Sequence, residues 1–356
     1  MIKVGFYYTG KENIKDILEY DFDILISDDR LVNELIKYNK VVKSVKYLKE
    51  VYDVLITYED INVRAIKKYL VKDKIDMDKI MSEQMGHNYK FSIIVPNYNN
   101  ADWISNTIES VLNQTYKNWE MYIIDDMSTD NSVEVINRYK DDRITLIQNE
   151  IKLYNGGSRN IGILKAKKSN YEGYLLFIDS DDWLADNYVL ERLERYISGE
   201  DLITLDYQYY MNFKINGPAR HTYKNKDELF MTIGAMCAVW CKCFKVSVAP
   251  LFEFNTLMED RVYHYRLINR INTFSNYGGV THTWNKMNSK SVTSRKAMKY
   301  ESDLQGKLEW DHCAYRHIAG MLDLLSEIEK PEWRQFIKNR IKANEENIRY
   351  NIYQQY

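Results

Sequence analysis

Tyr174-Leu175-Leu176-Phe177-Ile178-Asp179-Ser180-Asp181-Asp182-Trp183 is the stretch that decides how the rest of the chain is read. Five apolar residues, the length of a buried strand, run from Gly173 into three carboxylates within four positions. A strand that ends this way delivers its carboxylates to the carboxyl edge of a sheet, where open α/β folds bind ligands. Packed carboxylates repel one another. Oxygen-only donors suit a hard cation, Mg2+ or Mn2+, that shares its coordination with phosphates. The plainer alternative is a polar loop that caps the next helix.

Upstream, Ser92-Ile93-Ile94-Val95-Pro96-Asn97-Tyr98-Asn99 reads as a buried strand broken at Pro96 into a polar turn. Ile104–Leu112 has helical spacing. Met121–Ile124 reads as a second strand, ending in Asp125-Asp126-Met127-Ser128-Thr129-Asp130-Asn131. An acidic residue at the end of the second strand of such a unit is placed to accept hydrogen bonds from a nucleoside. Ser128 to Asn131 also suit the cap of the next helix. In Asn155-Gly156-Gly157-Ser158-Arg159 the glycines allow a tight turn, and a helix is expected from Ser158. Arg159 then lies in its first turn, where a guanidinium can bond a base, ribose or diphosphate.

The 356 residues suggest two domains with a sizeable core, and a net charge of −2 makes the whole chain no trap for nucleic acid or acidic membrane. No stretch approaches the roughly 20 apolar residues of a spanning helix. The start, Met1 to Gly5, reads as a first strand and not as a signal peptide, so a cytoplasmic location is expected. Cys237, Cys241 and Cys243 lack the Cys-x-x-Cys pairing of zinc modules; with Cys313 they read as reduced core thiols.

Residues 1–88 read as a small α/β module, with strands at Val4–Tyr8, Phe22–Ser27 and Val54–Tyr58 and helical spacing at Leu31–Tyr38 and Val63–Leu70. Its Lys37–Lys49 stretch holds five lysines, expected as a solvated face, and the polar residues 72–88 read as a linker. Residues 298–356 read as a helical extension. Leu304, Leu308, Tyr315, Ile318, Leu322 and Leu325 form one apolar face, and a second helix starts at Pro331 with Trp333, Ile337, Ile341 and Ile348 in line. Lys330, Arg334, Lys338 and Lys342 recur at steps of four. The default for such a stripe is a solvated face; the sharper expectation is an anionic acceptor or peripheral membrane contact.

Taken in order, the Val-Pro-x-Tyr start, Gln114-Thr115-Tyr116, Asp125-Asp126 with Ser-Thr-Asp, Ser158-Arg159-Asn160 and Asp179-Ser-Asp-Asp resemble the nucleotide-binding half of family 2 glycosyltransferases. The likeness is strong from Phe91 to Ala185. It implies a GT-A fold, Rossmann-like, over residues 89–297, a nucleotide-sugar donor (UDP-sugar favoured) and Mn2+ or Mg2+. By motif position Pro96, Tyr98, Asp126, Arg159 and Ser180 would meet the nucleotide, with Asp126 at uracil N3. Asp179 and Asp181 would hold the metal and diphosphate.

The second half continues the likeness. Val239-Trp240-Cys241-Lys242-Cys243-Phe244 and Glu259-Asp260 resemble later family motifs, and Asp260 takes the general base's place. Thr283-Trp284-Asn285-Lys286-Met287-Asn288-Ser289 resembles the segment that closes over the diphosphate, with Trp284 where Tyr is usual and Asn285 where Arg is common. Asp182, Glu259, Trp284 and Lys286 are therefore expected near diphosphate or acceptor, and His282 as a third metal ligand. The resemblance implies an inverting, metal-dependent transferase whose acceptor is a glycan, a lipid-linked glycan or a modified DNA base. Two other readings stay open at this level: a nucleotide-sugar-binding scaffold without turnover, and a nucleotidyltransferase, which would need a Gly-rich loop that Val95–Asn100 lacks. An oligomer is compatible with all of these.

Overall fold

The computed structural model describes residues 88–219, 222–232, 238–253, 259–288 and 304–353, with side chains of the last stretch from 316 to 346, and the backbone of five strands before residue 88. Those strands are β1 (Val4–Tyr8), β2 (Asp23–Ile26), β3 (Val42–Ser44), β4 (Tyr52–Thr57) and β5 (Ala65–Leu70). They form a parallel sheet in the order β3-β2-β1-β4-β5. The expected helix over Val63–Leu70 is thus corrected: Ala65–Leu70 pairs with Tyr52–Thr57, because strand pairing outweighs a helical pattern this short. Leu31–Tyr38, residues 72–87 and the lysine side chains of Lys37–Lys49 lie outside the described residues.

The second sheet has nine strands. In chain order they are β6 (Phe91–Asn97), β7 (Trp119–Asp125), β8 (Ile144–Gln148), β9 (Tyr174–Phe177), β10 (Trp183–Leu184), β11 (Leu202–Met211), β12 (Lys214–Ala219), β13 (Lys242–Lys245) and β14 (Phe274–Asn285). The order is β10-β14-β11-β13-β9-β6-β7-β8, with β12 paired to β11. β9, β6, β7 and β8 run parallel; β13 is antiparallel to both of its neighbours. β6 and β7 are buried along their whole length, as central parallel strands covered on both faces must be. β6 also continues through Pro96 to Asn97, where a break was expected. Its last partner in β9 is Phe177, opposite Ile94, so beyond that point the β9 side requires no donor and proline is tolerated.

The strand period of two divides the core. Phe91, Ile93 and Val95 point to one face, against α1 (Ile104–Leu112) and α4 (Val189–Tyr196). Ile94 points to the other, against α3 (Tyr154–Ser169) and α6 (Glu259–Arg270). Gly162 of α3 permits that approach: a Cβ there would meet Ile94 Cγ2 at 2.5 Å. Between these helices lie α2 (Ser132–Ile136) and, after β12, α5 (Lys226–Thr232).

The chain closes with α7 (Leu304–Glu327) and α8 (Pro331–Tyr353), which enter the same core as α5 and α6. Trp333 stacks on Phe230 with centroids 3.9 Å apart, and its indole N–H donates to Asp227. Ile318, Ile337 and Ile341 are buried and Leu325 partly so, but Leu322, expected on that face, is 52% exposed. The side chains of Leu304, Leu308, Tyr315 and Ile348 lie outside the described residues. The basic stripe is largely engaged within the chain. Lys330 Nζ is 2.7 Å from Asp227, Arg334 donates to the Ile328 carbonyl at 3.0 Å, and Lys342 faces Glu346 at 4.0 Å. Arg334 thereby ties α8 to the turn before it. Among the described residues no helix is long and apolar enough to cross a membrane.

Candidate active site

Because β6, β7 and β9 are parallel, Asn97, Asp125-Asp126 and Asp179 arrive at one sheet edge. Asn97 Nδ2 donates to Asp125 Oδ1 at 2.7 Å, which ties the first two turns together. Asp126, 3% exposed, caps the start of α3: it accepts from the Leu153 and Tyr154 backbone N–H groups at 2.7 and 2.8 Å and from Asn149 Nδ2 at 2.9 Å. Lys152 completes this corner, 3.2 Å from Asp126 Oδ2, with its ammonium over the Tyr98 ring. A carboxylate suits a helix N-terminus. The cap forms four residues earlier than the expected start at Ser158, so Gly156 and Gly157 lie within the helix. The carboxylate expected at a base thus also caps this helix. Pro96 is buried in β6, and Tyr98 stands at its exposed end.

Arg159, one turn into α3 and 2% exposed, joins the two halves of the site. Its Nη2 lies 2.7 Å from Asp179 Oδ1; its Nη1 lies 3.2 Å from both Glu259 Oε1 and Asp260 Oδ1. Burial opposes the guanidinium charge, but Asp179, Asp260 and Glu259 outweigh it and hold the group protonated. Arg159 was expected beside a nucleoside. Its terminal nitrogens face carboxylates of the strand-end turn and of α6. Asp260, on the first turn of α6, has its carboxyl pushed well above the usual range by burial and then by Glu259, with Arg159 opposing. Its proton affinity is therefore raised, as a base near neutral pH requires.

The Asp-Ser-Asp-Asp turn itself divides by role. Ser180 is buried; its Oγ accepts from Asn100 Nδ2 at 2.7 Å, and Thr107 Oγ1 donates to the Ser180 and Asp182 carbonyls. Asp182 turns inward, accepting from the Asn285 N–H at 2.7 Å and facing His282 Nε2 at 3.2 Å. His282 is 2% exposed and lies flat on Trp240, 4.5 Å between centroids. Burial lowers its pKa to about 4, so it is neutral. His282, expected as a third metal ligand, pairs with Leu184 through β14 and faces Asp182 with its ring. Asp182, expected near diphosphate or acceptor, holds β14 through these contacts.

Asp179 and Asp181 are left toward the open edge. Asp181 is pushed up to about 7 by burial, then by Asp182 and Asp179, with the Asn288 amide opposing at 2.7 Å. Partly buried carboxylates in mutual repulsion are the donor set that a divalent cation neutralises. Among the described residues no three His, Cys, Asp or Glu side chains converge into a cage. The two aspartates fit a cation that completes its shell with phosphate and water.

Asn288 and Asn100 are functional candidates that motif reading missed. Asn288 Nδ2 bridges Asp181 and Asn100 Oδ1, so the turns after β6, β9 and β14 share one amide network. Asparagine in a polar turn carries no distinguishing signal. At the end of β14, Lys286 Nζ lies 4.3 Å from the centroids of both Tyr209 and Trp284. Cys241 and Cys243 are free and buried; Cys237 and the side chain of Cys313 lie outside the described residues, as do Ser289 and residues beyond it to 303.

The model of the family described as Glycosyl transferase family 2 matches residues 92–270. Two Escherichia coli proteins are similar over shorter spans. WfaP, a UDP-Glc:alpha-D-GlcNAc-diphosphoundecaprenol beta-1,3-glucosyltransferase, is 46% identical over 92 residues, 26% of this chain and 35% of its own. WfgD, of the same description, is 39% identical over 105 residues, 29% of this chain and 40% of its own. The chain thus spans less than half the length of either. Among solved structures, S. aureus TarS 1–349 in complex with UDP-GlcNAc superposes with a TM-score of 0.50 at 15% identity, covering 75% of this chain and 92% of that one. The expected GT-A fold is the fold observed.

Proposed function

The chain belongs to glycosyl transferase family 2, and we propose that it is a glycosyltransferase that moves a sugar from a UDP-sugar to a hydroxyl of a glycan acceptor with inversion at the anomeric carbon. The observation that carries this reading is the single guanidinium of Arg159 spanning Asp179 and Asp260. It puts a donor-side carboxylate and a base at opposite ends of one rigid group.

A divalent cation held by Asp179 and Asp181 would offset the charge that develops on the departing diphosphate. Asp260 takes the proton of the acceptor hydroxyl as its oxygen bonds to the anomeric carbon, and UDP leaves with the electrons of the broken bond. Arg159 keeps Asp260 aimed during this exchange. Asn288 and Asn100 hold Asp181 toward the phosphates. Tyr98 and Lys152 supply a flat ring and a cation where the nucleoside would lie. Trp284 and Lys286 flank the acceptor side.

Supporting a UDP-sugar are the two E. coli relatives, glucosyltransferases that use UDP-Glc as donor and a lipid-linked sugar diphosphate as acceptor. The test is a donor screen that follows nucleotide release with and without Mn2+. UDP-hexoses should be turned over faster than GDP-, dTDP- or CMP-sugars. Equal inertness toward every nucleotide sugar, with UDP–Mn2+ failing to bind, would return the chain to a scaffold.

A further inference from the structure

β11 and β12 form a hairpin that carries the chain's most exposed large apolar side chain among the described residues. Phe213 is 79% exposed, and Met211 and Ile215 beside it are exposed as well. The register is Met211 opposite Lys214 and Tyr210 opposite Ile215, which leaves Asn212 and Phe213 as the two turn residues. Both have positive φ, 53° and 58°. That is the signature of a type I′ turn, in which Asn is common at the first position and Gly is preferred at the second. A bulky aromatic in this backbone region is an outlier that costs of the order of a glycine's advantage. The ring stands largely in solvent, in edge contact with Tyr210 of the same hairpin. A Phe at a strained, exposed turn points to something outside the chain.

Three features identify the kind of partner. The tip side chains Met211, Phe213 and Ile215 are hydrocarbon or thioether, without the polar edges of a sugar-stacking platform. Tyr209 and Tyr210 stand behind them, Tyr210 in edge contact with both Phe213 and Trp183, an arrangement of amphipathic rings below an apolar tip that suits a bilayer interface. Charge agrees: from Tyr207 to Ala219 the sequence has one charged residue, Lys214, and Lys286 sits against Tyr209. We infer that the β11–β12 hairpin is a membrane-docking finger, with Phe213, Ile215 and Met211 entering the surface of an anionic bilayer and Lys214 and Lys286 meeting its headgroups.

The placement also fits the proposed reaction, on which the following point rests. Tyr207 lies opposite His282 and Tyr209 opposite Trp284, so the finger grows from the strands that line the acceptor side. From Tyr207 to Phe213 the chain extends about 20 Å at a strand's rise per residue. A finger docked at its tip would hold the site roughly that far above the bilayer, within reach of a sugar carried on a lipid headgroup.

The test uses the full chain with vesicles of phosphatidylcholine alone and with phosphatidylglycerol added, read by flotation. Wild-type protein should bind the anionic vesicles. Phe213→Gly should lower that binding about tenfold or more, while its melting temperature rises because the turn strain is relieved. Those opposite directions are what a merely structural Phe cannot produce. Phe213→Trp should keep binding, and Lys214→Glu should cut the preference for anionic vesicles about fivefold. UDP binding, measured on the same samples, should be unchanged, which separates failure of the finger from failure of the transferase reading. Wild-type protein that ignores anionic vesicles would overturn the inference. So would Phe213→Gly binding as well as wild type, or a wild-type dimer that this change converts to monomer, since the tip would then serve a second copy.

Discussion

Arg159 Nη1 and Asp260 Oδ1 lie 3.2 Å apart although 101 positions separate them in the chain. The other terminal nitrogen of the same guanidinium holds Asp179 at 2.7 Å. A planar fork can hold carboxylates on two sides, and an ammonium on a flexible stem cannot.

Arg159→Lys should therefore separate position from charge. The protein is expected to fold, since one positive charge still faces the three carboxylates. Transfer should drop at least about 100-fold through kcat, with KM for the donor moving by a smaller factor. Arg159→Met, which leaves those carboxylates without a partner, should cost about 3–5 kcal/mol in a denaturant titration. Equal kcat in wild type and Arg159→Lys would remove the positioning role.

Asp260→Asn keeps size and most hydrogen bonds but accepts no proton. Single-turnover transfer should fall about 10²–10⁴-fold while UDP–Mn2+ affinity stays near its original value. A folded variant that transfers at the wild-type rate would sink the assignment.

Asp181 yields a prediction in which stability and binding move oppositely. Its carboxyl is raised to about 7 in the folded chain, above the ordinary carboxylate value of 3.8. A raised carboxyl favours folding while protonated, and that advantage is lost as pH rises through its folded pKa. Without metal, Asp181→Asn should thus melt higher than wild type at pH 8, and the difference should vanish below pH about 4. With Mn2+ and UDP the order should reverse, because the variant lacks a metal-binding carboxylate. Undiminished metal-linked UDP binding by calorimetry would contradict the donor site as drawn.

Trp333→Ala tests whether α8 belongs to the catalytic fold's core. Loss of a buried Trp stacked on Phe230 should cost about 3–5 kcal/mol. Below its lowered melting temperature the variant should bind UDP–Mn2+ normally, since Phe230 and Asp227, the stacking and hydrogen-bond partners of Trp333, lie on α5 and outside the site's turns. A change smaller than about 1 kcal/mol in denaturant would show that the helix adds little.

Much of the donor side was legible in order along the chain. The apolar runs before Asp179 and from Ile93 to Val95, and the helical spacing of Ile104–Leu112, are local patterns, and each formed the element it suggested. Local spacing is enough there because a strand or helix shows its buried side at a fixed period. Tertiary structure decided the rest. Ala65–Leu70 became a strand through its neighbour, and α3 began at Tyr154 because Asp126, 28 positions away, accepts that residue's N–H. The stacking of His282 on Trp240 and its contact with Asp182 came from the placement of β14. The partners of Arg159, at separations of 20, 100 and 101 residues, carry no periodic signal at all. A motif names the residue types at a sheet edge; which oxygen each buried nitrogen meets depends on strands and helices that converge only when the chain is folded.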